Sequence, residues 1–422
     1  MSTQQPTPQH LGLPLLFLAG MFLLLGAGCS KSVGRDNAAD TPKPNVQRLQ
    51  SLPYAGSTPA KPDDPDGVIA HDAERSCPGY NLYTIYALGT AELIDADGNV
   101  IRSWSAQGEI WMHCELLPEG DLLVVGAGTP VAGSPGQDAH LDDATRFVKR
   151  YDWNGERRWR KSHLGHHDVE VTPDGKILLL ALEYRHFPQF DPRNAVRDDI
   201  LLLLEPDGSS SESYSLMEAV GRNNRAFPLY RLDPTEESGN RFIDLLHANS
   251  VEWMRADLAG SHPLYDPANV LVCFRHQNRV ALFNWRERQV VWSWGHDELY
   301  GPHDAQLLAS GNLLVFDNGL SEQRSRIVEM DPRTGKVVWQ YVATPPGSFY
   351  TLSKGSAQRL PNGNTLAAES DKGRALEVTP AGEKVWEFVC PHFVDQGNRA
   401  AIVHIKRYPE AFLAEILAGN PQ

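Results

Sequence analysis

The stretch of sequence that decides the fold is residues 303–339, which run HDAQLLASGNLLVFDNGLSEQRSRIVEMDPRTGKVVW. Two apolar strands flank the turn Ser310-Gly311-Asn312, and a second hairpin turns at Thr334-Gly335 and ends in Trp339. Glycine and asparagine are typical of tight hairpins because they tolerate positive φ angles. Two hairpins in succession predict one four-stranded antiparallel sheet.

The same double-hairpin pattern recurs along the chain from about residue 80. The first turn returns at Pro118-Glu119-Gly120, Pro173-Asp174-Gly175 and Pro361-Asn362-Gly363, and the second hairpin ends in a tryptophan at four further places: Trp104, Trp159, Trp292 and Trp386. A repeated four-stranded unit is typical of a β-propeller, in which each unit is one blade. A β-sandwich array or a set of separate small sheets is the alternative.

The number of blades follows from where the repeats start. Five full blades begin near His113, His167, His247, His303 and Ser356. Residues 80–105 supply only the later strands of a blade, and residues 401–407 can supply the missing one. We therefore predict an all-β, six-bladed β-propeller whose N- and C-terminal strands share the closing blade, which leaves no open sheet edge.

The N-terminus carries a targeting signal. Residues 11–25 form a mostly apolar run, short for a membrane span, and Gly26-Ala27-Gly28 precede Cys29. This pattern resembles the processing site of bacterial lipoproteins. We expect export to the periplasm or the outer cell surface, with Cys29 lipidated as a membrane anchor; an uncleaved anchor helix is the alternative.

The predicted domains follow from these signals. Residues 1–29 are the signal, and residues 30–78, rich in Pro, Asp, Ala and Ser, are a flexible tether. Residues 79–410 form the propeller, and residues 411–422 form a short C-terminal helix or tail. Cys77 and Cys390 lie just outside the two ends of the repeat region. Two alternatives therefore remain open: a disulfide between them, or buried free thiols.

The net charge of −14 disfavours nucleic-acid binding, because phosphate contacts require Lys and Arg. We predict no nucleic-acid partner and no protein partner.

Histidines stand at equivalent places in the repeats. His113, His167, His247 and His303 each lie at the front of a first strand, and the first strands of a propeller line its central channel. Arg275 lies on the next strand of the unit that begins at His247. Imidazoles and a guanidinium together suit a tetrahedral oxyanion, and a neutral imidazole can attack an electrophilic sulfur or phosphorus. In a regular strand the aspartates that follow His167 and His303 would point to the opposite face.

Two other functions remain open from these residues. Several converging histidines could hold iron or zinc, which would make the chain a metal-dependent enzyme. Arg275 argues against this site, because a cation beside a metal ion is unfavourable unless an anion lies between them. The third possibility is a non-catalytic propeller lipoprotein that acts as a scaffold or binding module.

Five motifs in this order resemble those of the bacterial arylsulfate sulfotransferases, a family of six-bladed propeller enzymes, over residues 80–407. They are His167-Asp168, His247-Ala248-Asn249-Ser250, Arg275-His276-Gln277, His303, and Phe316-Asp317-Asn318-Gly319 with Ser325-Arg326. The resemblance implies that His303 is a nucleophile that becomes transiently sulfated. It implies that His247, Arg275 and His167 bind the sulfuryl oxygens and assist proton movement, with Asn249 and Arg326 as substrate-binding residues.

The implied reaction moves a sulfuryl group from a phenolic sulfate ester to a phenol. It uses no cofactor, no metal and no nucleotide sulfate donor. The expected partners are therefore an aryl sulfate and a phenolic acceptor. Asp304 departs from the family pattern, and its carboxylate would repel an anionic donor if it faced the channel.

Overall fold

The structure, a computed structural model, describes residues 56–129, 143–232, 235–237 and 240–419. Nearly all of its regular structure is β, and the described part holds two α-helices, α1 (Leu216–Arg222) and α2 (Glu410–Gly419). The prediction of an all-β chain is confirmed at this level. Neither described helix is long and apolar enough to span a bilayer.

Thirty strands are described. In chain order they are β1 (Ser57–Pro59), β2 (Gly67–His71), β3 (Tyr80–Ile85), β4 (Thr90–Ile94), β5 (Val100–Ser105), β6 (Glu109–Leu116), β7 (Leu122–Gly128), β8 (Phe147–Tyr151), β9 (Arg157–Lys161), β10 (Gly165–Val171), β11 (Ile177–Arg185), β12 (Ala195–Leu204), β13 (Ser210–Ser215), β14 (Thr235–Glu237), β15 (Asn240–Ile243), β16 (Ala248–Trp253), β17 (Asn269–Phe274), β18 (Arg279–Asn284), β19 (Gln289–Trp294), β20 (His303–Leu307), β21 (Leu313–Asp317), β22 (Arg326–Asp331), β23 (Lys336–Val342), β24 (Ser356–Arg359), β25 (Thr365–Glu369), β26 (Arg374–Val378), β27 (Lys384–Val389), β28 (Phe393–Asp395), β29 (Asn398–Ala400) and β30 (Ile402–Tyr408).

Six sheets each contain an antiparallel run of four strands: β30-β3-β4-β5, β6-β7-β8-β9, β10-β11-β12-β13, β16-β17-β18-β19, β20-β21-β22-β23 and β24-β25-β26-β27. The first of them joins the two ends of the repeat region, because β3 pairs antiparallel with β30 from Tyr80–Tyr408 to Ile85–Ile402. The predicted sharing of one sheet by the N- and C-terminal strands is therefore present.

The first strands of the six sheets contact one another in a closed ring, in the order β6, β10, β16, β20, β24, β30 and back to β6. We call these six the inner strands. Side chains on four of them accept a hydrogen bond from a backbone N–H of the next inner strand. The four bonds are Val251 N to Asp168 Oδ2 (2.8 Å), Ala305 N to Ser250 Oγ (3.0 Å), Ala357 N to Asp304 Oδ2 (2.7 Å) and Ile405 N to Ser356 Oγ (3.2 Å).

The tryptophans that end the second hairpins join neighbouring sheets farther out. The indole N–H of Trp104 donates to Asp152 O (3.0 Å), that of Trp339 to Pro380 O (2.8 Å), and that of Trp386 to Ala96 O (2.8 Å). Each acceptor lies in a turn of the following sheet. These bonds give three of the five recurring tryptophans the same role, which is to join a sheet to the next one.

The predicted flexible tether, residues 30–78, is wrong in its last part. β2 pairs with the outer strand β27 from Gly67–Val389 to His71–Trp386, and β1 pairs with β29. The outer edge of β27 offers backbone groups that a short segment satisfies by adding a strand. Residues 30–55, the predicted signal 1–29 and Cys29 lie outside the described residues.

The third sheet is extended by longer strands and by additional elements. β11 and β12 run beyond the usual strand length, and β15 pairs in parallel with the start of β12 at Ala195–Phe242 and Val196–Ile243. Helix α1 follows β13, and its N-cap Ser215 accepts a hydrogen bond from Glu218 N. The four described cysteines, Cys77, Cys114, Cys273 and Cys390, are buried free thiols, so the disulfide alternative is wrong.

Candidate functional site

The inner strands that carry the histidines are bulged near the histidines. Pairing shifts register within Trp111–His113, Gly165–Val169, Ala248–Ser250 and His303–Gln306. The backbone has positive φ at His167 (59°), His247 (51°) and Asp304 (47°), a region that residues with a Cβ seldom adopt. Such bulges re-aim side chains, so the regular alternation expected around Asp168 and Asp304 is interrupted.

His303 is the first residue of β20 and is only 4% exposed. Its Nδ1–H donates to Asn318 Oδ1 at 2.7 Å, with Gly301 O also at 3.0 Å. Because both neighbours are acceptors, the proton lies on Nδ1 and the lone pair lies on Nε2. Burial, together with the nearby charge of Arg275, lowers the pKa of His303 to about 3. The ring is therefore neutral at physiological pH, the form that can act as a nucleophile.

Asn318 is held so that its oxygen faces His303. Its Nδ2 donates to Thr351 O at 3.0 Å and to Lys354 O at 2.9 Å, which fixes which end of the amide is the acceptor. The side chain is fully buried. The sequence had suggested Asn318 as part of a family motif only, and the structure gives it a direct contact with the predicted nucleophile.

Two buried cations act on His303. Arg275 is 1% exposed, directly follows β17, and donates its backbone N–H to His247 O at 3.1 Å. The charges of both Arg275 and Lys354 lower the pKa of His303. Lys354 Nζ is 2.7 Å from Asp371 Oδ1, and burial lowers the pKa of this lysine.

Lys354 was not among the residues predicted from the sequence. The one signal for it was its place directly before Gly355-Ser356, where the last full repeat begins.

His247 is hydrogen bonded to Asp244, with 2.5 Å between Nδ1 and Oδ2. Its ring centroid is 5.2 Å from that of His167 and 4.3 Å from that of His276. Burial lowers the pKa of His247 well below its usual value, against the opposing charge of Asp244. His247 is therefore neutral, with its proton on Nδ1 and a lone pair on Nε2.

His167 has a different partner, the imidazole of His166. The two Nδ1 atoms are 2.7 Å apart, and His166 Nε2 lies 3.1 Å from Ala181 O. Because a carbonyl only accepts, His166 carries its proton on Nε2, so His167 donates from Nδ1 to His166 Nδ1. Burial and neighbouring positive groups lower the pKa of His167 well below its usual value. The structure thus brings His167, His247, Arg275 and His303 together as three neutral imidazoles beside a guanidinium.

The two predicted substrate-binding residues are engaged within the protein. Asn249 donates from Nδ2 to Pro302 O at 2.8 Å, which holds the residue before His303, and its Oδ1 has no hydrogen-bond partner among the described residues. Arg326 lies two strands from His303 in the same sheet and donates from Nε to Asp317 Oδ2 at 2.8 Å. The structure does not bring Arg326 into the histidine group.

His113 belongs to a separate part of the channel. It is 3.2 Å from Asp168 Oδ1 and its ring centroid is 4.5 Å from that of His404. Both histidines line a cavity of about 760 Å³, together with Asp304, Glu252 and Lys406. Burial raises the pKa of Asp304 to about 7, although the bond from Ala357 N opposes this shift. Asp304 thus faces this cavity, and its charge is partly neutralised at neutral pH.

One group of side chains has the spacing of a metal site. Ligand atoms of Asp244, His247 and His276 lie within 4.8 Å of one another. However, Asp244 Oδ2 already accepts from His247 Nδ1 and from Arg197 Nη1 at 3.1 Å, and His276 Nδ1 donates to Asp244 O at 2.7 Å. The Nδ1 atoms of both histidines carry protons and donate them to oxygen atoms, whereas a metal ligand must offer a lone pair. The group therefore fits a hydrogen-bonded network rather than a set of metal ligands.

Comparisons with known proteins identify the family of the chain. No curated protein matches the chain. A solved structure of a protein of unknown function from Bacteroides caccae is 12% identical and covers 79% of this chain and 100% of its own, with a TM-score of 0.48. The structure of the Dos1 propeller is 10% identical, with 74% and 66% coverage and a TM-score of 0.37. The family model described as Arylsulfotransferase (ASST) matches residues 113–390, most of the chain and all of the histidine group, and the chain therefore belongs to the arylsulfotransferase family.

Proposed function

We propose that this protein transfers a sulfuryl group from a phenolic sulfate ester to a phenol, by way of a sulfated His303. The observation that carries the proposal is the hydrogen bond from His303 Nδ1 to Asn318 Oδ1, because it leaves the lone pair on Nε2. Family membership supports the reaction class, and the buried cations beside His303 support an anionic substrate.

In the first half-reaction, His303 Nε2 attacks sulfur. The N–S bond forms as the bond between sulfur and the aryl oxygen breaks, and the electron pair goes to the departing oxygen, which takes up a proton. Arg275 and Lys354 stabilise negative charge on the moving group and on that oxygen. Sulfation leaves Nδ1 protonated, so Asn318 Oδ1 continues to accept from a ring that now carries positive charge.

In the second half-reaction, the oxygen of an acceptor phenol attacks the same sulfur and loses its proton. The N–S bond breaks, its electron pair returns to Nε2, and neutral His303 is regenerated. The donor sulfate brings negative charge to neutral imidazoles, which raises their affinity for protons. We therefore expect donor binding to be accompanied by proton uptake.

The test is turnover of 4-nitrophenyl sulfate with phenol as acceptor, combined with mass spectrometry of the enzyme quenched without acceptor. We expect a peptide carrying one SO3 group at His303 and loss of both signals in His303→Ala. His392→Gln is the matched control, because His392 is partly buried and contacts Glu92 outside the histidine group. Nitrophenol release at an unchanged rate by His303→Ala contradicts the mechanism.

The metal-dependent enzyme that the sequence left open is tested in the same preparation, although the hydrogen bonds among Asp244, His247 and His276 do not fit a ligand set. Metal analysis of the purified protein and assay after treatment with a chelator separate the two. Turnover that survives the chelator supports direct sulfuryl transfer, and a stoichiometric metal whose removal abolishes turnover supports the alternative. A folded protein that turns over no aryl sulfate supports the non-catalytic module.

We also propose that the six sheets are the blades of a six-bladed propeller. The closed ring of inner strands and the shared end sheet support this architecture. An experimental structure with a different number of sheets around the channel contradicts it.

Export with lipidation at Cys29 is proposed from the sequence alone. We expect labelled palmitate to enter the wild type and the Ser30→Ala control, and not Cys29→Ala. Equal labelling of all three excludes Cys29 as the anchor.

A further inference from the structure

A buried polar group lies behind the site histidines, and sequence patterns gave no hint of it. It consists of His166 on β10, Arg197 and Asp199 on β12, Asp244 after β15 and His276 after β17. Arg197 lies between its two halves, with Nη1 3.1 Å from Asp244 Oδ2 and Nη2 3.5 Å from His166 Nδ1. The group therefore connects the partner of His247 with the partner of His167.

The partner of His247 is a carboxylate. Asp244 Oδ2 accepts from His247 Nδ1 at 2.5 Å and from Arg197 Nη1 at 3.1 Å. Although burial opposes it, the charge of Arg197 and the hydrogen bond from His247 hold the pKa of Asp244 well below its usual range. An ionised carboxylate at Nδ1 fixes the tautomer of an imidazole and stabilises the imidazolium that forms when Nε2 takes a proton.

The partner of His167 is a neutral imidazole. His166 Nδ1 accepts from His167, and burial lowers the pKa of His166 well below its usual value. A carboxylate on this side, Asp199, contacts His166, with Oδ1 3.3 Å from His166 Nε2. Burial raises the pKa of Asp199 to about 7. A proton on His167 is therefore stabilised much less than a proton on His247.

We propose that Asp244 is a positioning residue that makes His247, and not His167, the group that carries the proton between the two phenols. The inference rests on the proposed sulfuryl transfer. Protonated His247 gives its Nε2 proton to the aryl oxygen as the S–O bond breaks. Neutral His247 then takes the proton of the acceptor phenol as the phenol oxygen attacks sulfur. His247 is thereby protonated again, so one cycle neither consumes nor releases a proton.

The charged and titratable groups that face His247 come from four elements. They are Asp244, Arg197, His276 and His167. Among these groups only Asp244 carries negative charge, so its removal has a specific consequence. A donor with a poor leaving group needs the proton more than a donor with a good one.

The experiment compares two donors in Asp244→Asn. Phenol has a pKa of about 10, like tyrosine, and leaves poorly without a proton, whereas 4-nitrophenolate is a stable anion. We expect turnover of phenyl sulfate to fall about 10²- to 10⁴-fold, the usual contribution of general acid–base catalysis, and turnover of 4-nitrophenyl sulfate to fall far less. Asp198→Asn is the matched control, because Asp198 is a fully buried neighbour of Asp199 that is bound to Ser215, Met217 and Arg185.

A second readout does not depend on turnover. In spectra of ¹⁵N-labelled histidine, wild-type His247 should carry its proton on Nδ1, and Asp244→Asn should move part of it to Nε2, because an amide can donate as well as accept. An equal rate loss for both donors, or an unchanged His247 tautomer, overturns the role of Asp244. A wild type that transfers no sulfuryl group from either donor overturns the proposed function instead, and the proton-carrying role with it.

Discussion

Replacing Asn318 by alanine tests the link between the tautomer of His303 and its reactivity. Asn318 makes three buried hydrogen bonds: one from His303 Nδ1 and two from its own Nδ2 to Thr351 O and Lys354 O. At about 1 kcal/mol net for each bond, the substitution should cost about 3 kcal/mol of unfolding free energy. Denaturant unfolding followed by tryptophan fluorescence measures this loss.

The effect on chemistry should be separable from the loss of stability. Without Asn318, His303 Nδ1 keeps its contact with Gly301 O at 3.0 Å, and the preference for the Nδ1–H tautomer weakens by the value of one hydrogen bond. A loss of about 1–3 kcal/mol lowers the population of the reactive tautomer, and so the rate of the proposed His303 sulfation, by about 5- to 150-fold. A single-turnover burst of nitrophenol at saturating donor reports this rate directly.

Asn364→Ala provides the control for a lost buried asparagine. Asn364 is 4% exposed, and its Nδ2 donates to Arg75 O at 2.8 Å and to Glu377 Oε1 at 2.6 Å, in a sheet that does not carry His303. It should lose comparable stability and keep the wild-type burst rate. A burst of wild-type rate in Asn318→Ala as well would refute the claim that Asn318 prepares His303 for attack.

Three further outcomes follow from named contacts. The buried site holds the pKa of His303 at about 3, whereas the unfolded chain protonates near pH 6.5, so between these values only the unfolded state binds the proton. The free energy of unfolding should therefore fall as pH drops from 6.5 to 3, and His303→Gln should flatten that slope in unfolding titrations. An unchanged slope in His303→Gln counts against a buried neutral ring. Burial raises the pKa of Glu252 from 4.5 to about 8, so the native state keeps a proton that the unfolded state loses. The free energy of unfolding should fall by up to about 4 kcal/mol as pH rises from 5 to 8, and Glu252→Gln should remove most of that fall. The same fall in Glu252→Gln would show that the carboxyl is ionised in the native protein. At Gly319 (φ +63°) an added Cβ would lie 1.7 Å from Arg324 O, whereas at Gly335 (φ +70°) it would meet nothing within 4 Å. Gly319→Ala should therefore lower the melting temperature more than Gly335→Ala does. Equal losses would show that backbone strain alone sets the cost of both substitutions.

The repeat pattern was enough to predict the sheets, because hairpin turns and strand-ending tryptophans are local signals. It also predicted the pairing of β3 with β30, since an incomplete unit at each end leaves one strand to be supplied. Strands β1 and β2 escaped prediction because their residues are rich in Pro, Asp and Gly. They are stabilised by the edges that they join rather than by an apolar pattern of their own.

The site was predictable only where it follows the repeat. His167, His247 and His303 occupy equivalent places, so their convergence could be inferred from phase. Asp244 and Arg197 lie in the longer segments of the third sheet, and the bond that joins them connects residues 47 apart in the chain. The positive φ angles at His167 and His247 also left no trace in the sequence, because neither position is a glycine or an asparagine.

The bulges and the bonds between inner strands connect the fold to the chemistry. Asp168 and Asp304 directly follow the site residues His167 and His303, and each accepts a backbone N–H of the next inner strand, from Val251 and Ala357. The same strained turn therefore aims an imidazole at the site and ties its strand to the neighbouring sheet. Since strain of this kind persists only where surrounding structure over-determines it, the site geometry depends on closure of the whole ring. Variants that weaken the pairing of β3 with β30 should accordingly lose the proposed sulfuryl transfer while the ordinary hairpins of the other sheets still form.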